Sequence, residues 1–332
     1  MNFHGNGEKN RSLILVFLCL LAVSNLWPQG KKEAPAVTAS KAFKLSGYTQ
    51  ILYVTQDEGL DSFLIKRARL SFAGEFLKNV RFKLQVDAVK SPVLVDAQLD
   101  FVLNPIASFR VGQFKVPFSQ ESLLSASEIE TINRSQPVTK LSPGQDIGSS
   151  GRDIGAMFFG KYAILEYTVG FFNGAGINKT DTNEQKDLAA RFLLRPAGFL
   201  SIAASFYDGR YSEKVDAPAV ARKRTGLETA VVHNAFSLKG EFILAKDDTT
   251  SKQGWYLQGG YFVLAKTLQA IVKYDSYDKD KNVAGDRSHL FTVGMNWFLT
   301  EKTKLMVNFE LYRDESGKTT NSALLAQFQA GF

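Results

Sequence analysis

The stretch "VRFKLQVDA", Val80 to Ala88, decides the fold. Val80, Phe82, Leu84, Val86 and Ala88 are apolar, and Arg81, Lys83, Gln85 and Asp87 between them are polar. Strict alternation with a period of two puts the two sets on opposite faces of a β-strand. The pattern returns in Val95, Ala97, Leu99 and Phe101 against Asp96, Gln98 and Asp100. It returns again in Leu305, Val307, Phe309 and Leu311 against Lys304, Asn308 and Glu310. Just upstream, "LIKRARLSFAGEF" (Leu64 to Phe76) sets Ala68, Leu70 and Phe72 against Arg67 and Arg69. A strand with one apolar face and one doubly cationic face is out of place in a dry core.

Sixteen such segments run from 43–53 to 322–332, with Pro92, Pro105, Pro143 and Pro196 in the connections. No convincing amphipathic helix exceeds about three turns. Short connections, such as Leu77-Lys78-Asn79, Lys161 and Asn234-Ala235, fall between longer polar ones, such as Asn173 to Lys186 and Asp208 to Arg224. An antiparallel meander has two rims, so this alternation puts the short turns on one rim and the longer loops on the other. The chain is all-β, and the expected architecture is a transmembrane antiparallel β-barrel of about sixteen strands, with short periplasmic turns and long outer loops. A closed barrel pairs every backbone group without edges, as lipid demands. Ala68, Leu70 and Phe72 then face lipid, and Arg67 and Arg69 face a watery lumen. A soluble β-sandwich alternates too, but it requires no asymmetry between rims.

The N-terminus fits export. Lys9 and Arg11 precede the apolar run Leu13 to Val23, which is shorter than the ~20 residues of a spanning helix. With small residues at Ala22 and Ser24 it reads as a signal peptide over 1–24, with cleavage after Gly30 as the alternative. Residues 25–42 are then an N-terminal periplasmic segment, and 43–332 the outer-membrane barrel. Cys19 is the only cysteine and leaves with the signal, so the mature chain has no thiol for a disulfide or metal. The formal charge of +7 suggests anionic partners without naming them.

At the other end, "LLAQFQAGF" puts Phe328, Ala330 and Phe332 on one face. A terminal aromatic in a last amphipathic strand looks like the signal read by the barrel-assembly machinery, which makes that machinery an expected partner through Phe332.

Four motifs resemble, in order, those of the phosphate-selective porin O and P family: "KRARLSFAGEF" (Lys66 to Phe76), "VGQFKVPFSQE" (Val111 to Glu121), "RDIGAMFFG" (Arg152 to Gly160) and "YTVGFFNGAG" (Tyr167 to Gly176). The resemblance covers most of the chain from about Phe43. It implies a sixteen-stranded channel, usually a homotrimer, for anions such as phosphate or polyphosphate, located in the outer membrane of a Gram-negative-type bacterium. It also implies pore-lining arginines and lysines.

The alternation points Arg67, Arg69, Arg81, Lys83 and Arg191 inward. Guanidinium forks suit phosphate, and cationic rings make anion pores. The competing reading is a mixed-charge wall of a general diffusion porin. A turn centred on Lys78 sets Arg69 opposite Asp87 and Arg81 opposite Glu75. A loop at Lys90 to Val93 sets Lys83 opposite Asp100. Only Arg67, grouped with Phe63, Ile65 and Ser71, lacks an obvious acid.

The longest connection, Val116 to Arg152, carries Arg134 and Lys140 with Glu121, Glu128 and Glu130. It is expected to fold inward as a constriction with Arg134 near the ion path; the alternative is a surface or trimer-contact loop. A third class of function, a structural or adhesive surface barrel without a useful pore, stays open.

Catalytic chemistry is not indicated. The mature chain has only His233 and His289, on separate strands, with no metal-ligand spacing and no nucleophile beside a base. No cofactor is expected. "NGAGINKT" lacks the Gly-Lys pair of a phosphate-binding loop and reads as a turn. "ARKR" (Ala221 to Arg224) is assigned to an outer-rim connection, where solvation or contact with lipopolysaccharide and outer-membrane lipid is expected rather than nucleic acid.

Overall fold

The computed structural model describes residues 43–57, 59–215 and 217–332. The signal-peptide and N-terminal-segment expectations lie outside them. Sixteen antiparallel strands form one closed barrel in chain order, with β1 (Lys44–Gln56) paired to β16 (Thr319–Gly331). Between them run β2 (Ser62–Leu77), β3 (Val80–Asp87), β4 (Leu94–Val102), β5 (Ser108–Lys115), β6 (Arg152–Tyr162), β7 (Leu165–Phe172), β8 (Asp187–Ala197) and β9 (Leu200–Tyr211). The far side of the wall is β10 (Val220–His233), β11 (Phe236–Asp247), β12 (Thr250–Leu264), β13 (Leu268–Asp278), β14 (Arg287–Phe298) and β15 (Lys304–Arg313). Two short helices, α1 (Gln120–Leu123) and α2 (Gln136–Leu141), lie in the 116–151 connection.

Alternation in sequence becomes alternation across the wall. In β10, Arg222, Arg224 and Glu228 are buried, whereas Leu227 between them is 57% exposed. Outward positions elsewhere repeat this with Phe206, Val272, Val293 and Phe309. Exposed apolar side chains around the whole wall, over buried polar ones, are the inverse of a soluble protein and the normal state of a lipid-facing barrel. Closure uses the chain's end. Phe332 N–H donates to Gly47 O at 3.0 Å, and Gly47 N–H donates back to Phe332 O at 3.3 Å. Gly47 has to be a glycine, because a Cβ there would lie 2.7 Å from the carbonyl of Arg69 and 2.9 Å from the Phe332 ring.

Four local expectations need correction. The turn between β6 and β7 is at Ala163 and Ile164, not at Lys161, because Tyr162 still pairs with Leu165. One outer connection is short: Asp248 and Thr249 alone join β11 to β12. Ala221 to Arg224 are not loop; all four pair with β9, and Arg222 to Arg224 also pair with β11. Finally, Lys66 is an extra residue in β2, since Gln50 pairs with Arg67 and Ile51 with Ile65. Such a bulge shifts the side-chain phase by one. Phe63 and Ile65 therefore face lipid, 80% and 57% exposed, and do not share the face of Arg67.

Candidate functional site: a cationic eyelet

After Lys115 the chain leaves the wall and enters the lumen. Val116, Phe118, Val138 and Leu141 of the 116–151 loop pack with Phe114, Tyr207, Ile243 and Tyr256 of the wall. Ile132 packs with Leu52, Met306 and Leu325. Inward apolar residues on a barrel wall would otherwise meet water, and each such side chain fully buried contributes about 1.5–3 kcal/mol. That burial draws the loop inward against the barrel wall.

Polar anchors then fix its path. Lys115 Nζ donates to the carbonyls of Ser122, Leu123 and Leu124 at 2.8, 2.9 and 2.6 Å, using its three protons on the free end of α1. Glu130 takes Lys239 at 3.0 Å and also accepts from Gln269. Asn308 Oδ1 accepts from Ile132 N–H, and Asp275 from Gln136 N–H. Asp146 binds Arg222 and, at 3.2 Å, Arg224. These ties hold the loop against β10–β15. Two other residues tie it to β1 and β2: Gln50 Nε2 donates to Ala126 O at 3.1 Å, and Lys66 Nζ to Ile132 O and Asn133 Oδ1, both at 2.7 Å.

Between the loop and β2 lies a cavity of about 420 Å³. Lys66, Arg67, Arg69, Arg134, Lys140 and Arg152 line it, and no carboxylate does. Arg69 is neutralised from behind by Asp87 at 2.9 Å, and Arg152 by Asp96 at 2.6 Å. Lys66, Arg67, Arg134 and Lys140 have no carboxylate within ion-pair distance among the described residues. Arg67 Nη1 donates to Gln50 Oε1 at 2.8 Å, and Arg134 Nη2 to Leu124 O at 2.8 Å. Arg67 Nε and Arg134 Nη1 have no protein acceptor. Burial lowers the proton affinity of the Arg134 guanidinium, which lies outside the strands. An arginine stays charged through any such shift at neutral pH.

A second cavity, of about 340 Å³, opens toward the short-turn rim and is lined by Lys44, Glu75, Arg81, Lys83 and Asp100, among others. Its charge is mixed. Arg81 lies 3.9 Å from Glu75, with both exposed, a pair worth about 0–1 kcal/mol. Lys83 does not face Asp100. The register sets it opposite Gln98, and it binds Asp96 at 2.7 Å. Asp100 instead holds Arg110 through two bonds of 2.6 and 2.7 Å. The residue count of the 88–93 loop was not enough to set this register, because the β3–β4 ladder slips between Gln85 and Val86.

Of the six cations read from the sequence, Arg67, Arg69 and Arg134 meet in the upper cavity, and Arg81 and Lys83 in the lower. Arg191 joins neither: it forks onto Glu228 at 2.5–3.1 Å. Three lining residues went unassigned. Lys66 is turned inward by the bulge, and the adjacent cations "KR" in an otherwise alternating strand were its only sequence signal. Lys140 reaches the cavity through the path of the loop, and Arg152 from the first position of β6.

Comparison with known proteins agrees with this geometry. The family description "Phosphate-selective porin O and P" matches residues 46–221 and 214–330. The chain belongs to that family. The porin has the fold of an anion-selective porin from Comamonas acidovorans, with a TM-score of 0.68 at 16% identity over 88% of this chain and 100% of that one. OmpT of Vibrio cholerae superposes with a TM-score of 0.68 at 9% identity over 92% and 100%. The outer-membrane channel DcaP of Acinetobacter baumannii gives 0.62 at 14% identity over 88% and 98%. No curated protein matches. The porin is a channel of the Gram-negative-type outer membrane.

Proposed function

We propose that the porin conducts small phosphate-type anions passively, with the 116–151 loop and β2 forming the selective step. The observation that carries this reading is the upper cavity: six cationic side chains, four without a carboxylate partner, and no acid in the lining. At ~4 Å a unit charge pair interacts by about 1 kcal/mol in bulk water and about 4 kcal/mol at an effective dielectric constant of 20. An anion entering the eyelet is therefore favoured well beyond its attraction to the same charges in solution. Arg67 and Arg134 supply donors as it sheds water, and Arg69 and Lys83, screened by Asp87 and Asp96, contribute less. Sixteen strands leave room for an aqueous path, which disfavours a purely structural or adhesive barrel.

A general, weakly selective porin is the second reading. The mixed charge of the lower cavity favours it, as does the pairing of Arg69, Arg110, Arg152 and Arg191 with acids. Planar-bilayer recordings separate the two: added phosphate should block chloride current through a selective eyelet, and should leave a general pore unaffected. The trimer form of OmpT from Vibrio cholerae supports a homotrimer for this porin. The exposed terminal ring of Phe332 supports recognition by the barrel-assembly machinery.

A further inference from the structure

The cations of Ala221–Arg224 divide across the barrel wall. Arg222 and Arg224 point inward to Asp146, which leaves Lys223 on the outside, 66% exposed. Its partner in register on β11 is Lys246, also exposed, and on β9 it is Asp208. Arg210, two residues beyond Asp208, is exposed on the same outward face of β9. Three cations and one carboxylate thus share one level of the wall. The carboxylate compensates little: Lys223 Nζ lies 3.5 Å from Asp208 Oδ2, and both side chains are more than 60% exposed. Lys246 and Arg210 have no carboxylate within ion-pair distance among the described residues. Two lysines directly opposite in a ladder repel each other, and an anion between them would relieve that repulsion.

Depth in the membrane identifies the anion. The outward side of β11 is apolar from Phe236 to Leu244, and Lys246 is the next outward residue. That apolar run matches the ~9–11 residues a tilted strand needs to cross the hydrocarbon. Trp255 on β12, opposite Phe242, is 40% exposed, and Phe206 on β9, separated from Leu244 by Thr225 of β10, is 47% exposed. The cations therefore lie at headgroup level on the loop rim, directly above an apolar and aromatic surface. A phosphate borne by acyl chains satisfies both halves of this surface at once; a free phosphate satisfies only one.

We propose that the outward face of β9–β11 binds the phosphate of an outer-leaflet glycolipid of the lipid A type. Lys223 and Lys246 form the paired contact, Arg210 assists, and the acyl chains lie on Phe206, Leu244 and Trp255. The reading is independent of which solute the pore carries.

The test uses the full porin in detergent, titrated with bis-phosphorylated lipid A, with the same lipid stripped of both phosphates, and with inorganic phosphate, and read by native mass spectrometry. Phosphorylated lipid A should bind at least about tenfold more tightly than the stripped lipid, the factor expected for a few lysines and arginines at an anionic surface. The double variant Lys223→Ser, Lys246→Ser should lose about that factor, with heat-modifiable migration and conductance unchanged. Equal affinity of the wild type for stripped and phosphorylated lipid would overturn the proposal, and that comparison needs no variant. So would binding of inorganic phosphate as tight as that of lipid A. Unchanged lipid binding with lost subunit association in the double variant would identify the face as a protein interface and sink the proposal equally.

Discussion

Arg67 is the cation whose surroundings differ most from those of its neighbours. Arg69, two residues on, is 5% exposed and tied to a fully buried Asp87, while Arg67 has only the amide oxygen of Gln50. The two should therefore respond differently to truncation. Arg67→Ala should lower the anion-to-cation permeability ratio by up to about tenfold, the effect of ~1.4 kcal/mol, with no change in heat-modifiable migration. Arg69→Ala should change selectivity less and stability more, because a buried carboxylate stripped of its partner costs about 3–5 kcal/mol; urea titration of the two variants checks this. Lys66 adds a mechanical role, since its ammonium joins β2 to Ile132 and Asn133 of the loop. Lys66→Met should free the loop tip, raising current noise and lowering selectivity together in single-channel records. Quiet currents with wild-type selectivity would show that the tether is dispensable. The inward direction of Arg67 and Arg69 was legible from alternation alone; the surroundings of Arg67 were not, since alternation groups it with Phe63 and Ile65, which face lipid. Lys66 was not, because a bulge is one inserted residue whose position depends on pairing with Gln50 and Ile51 of β1.

At the scale of the element, the 116–151 loop was recognisable by length alone as a candidate constriction. Its path was not legible, because its anchors lie far away in sequence: Asp146 binds Arg222, Gln136 binds Asp275, and Ile132 binds Asn308. Nothing local in "SPGQDIGSS" announces that Asp146 will meet two arginines from a strand that itself read as loop. This ion cluster is the C-terminal clasp of the loop. Asp146→Ala leaves buried Arg222 without its carboxylate, while Arg224 retains Asp247 at 2.6 Å. The clasp should loosen without barrel collapse. Trypsin should then cut after exposed Lys140 in the folded variant and spare the wild type; equal protection of both would show that the apolar cluster of Phe118, Val138 and Leu141 holds the loop by itself.

At the scale of the whole molecule, strand number, order and face were all legible, because a lipid-facing barrel writes its period of two into every strand and its two rims into the loop lengths. The exceptions are places where that period slips, at Lys66 and at Gln85/Val86, or where a strand runs past the expected rim, as β10 does from Val220. Phe332 exchanges both backbone bonds with Gly47 and so extends the β1–β16 ladder that closes the barrel. Deleting Phe332 should lower the amount in the outer membrane and raise periplasmic degradation, seen by fractionation; unchanged surface abundance would remove the terminal ring from any assembly role. Under the proposed function, the cation-rich, acid-free cavity lies in series with the mixed-charge one, and the first sets selectivity. The reversal potential of the purified wild-type porin in a planar bilayer under a potassium chloride gradient tests this most directly. A potential of the sign set by chloride, collapsing toward zero in Arg67→Ala, Arg134→Ala, is expected. A potential of the sign set by potassium, or one unmoved by the double substitution, would contradict it.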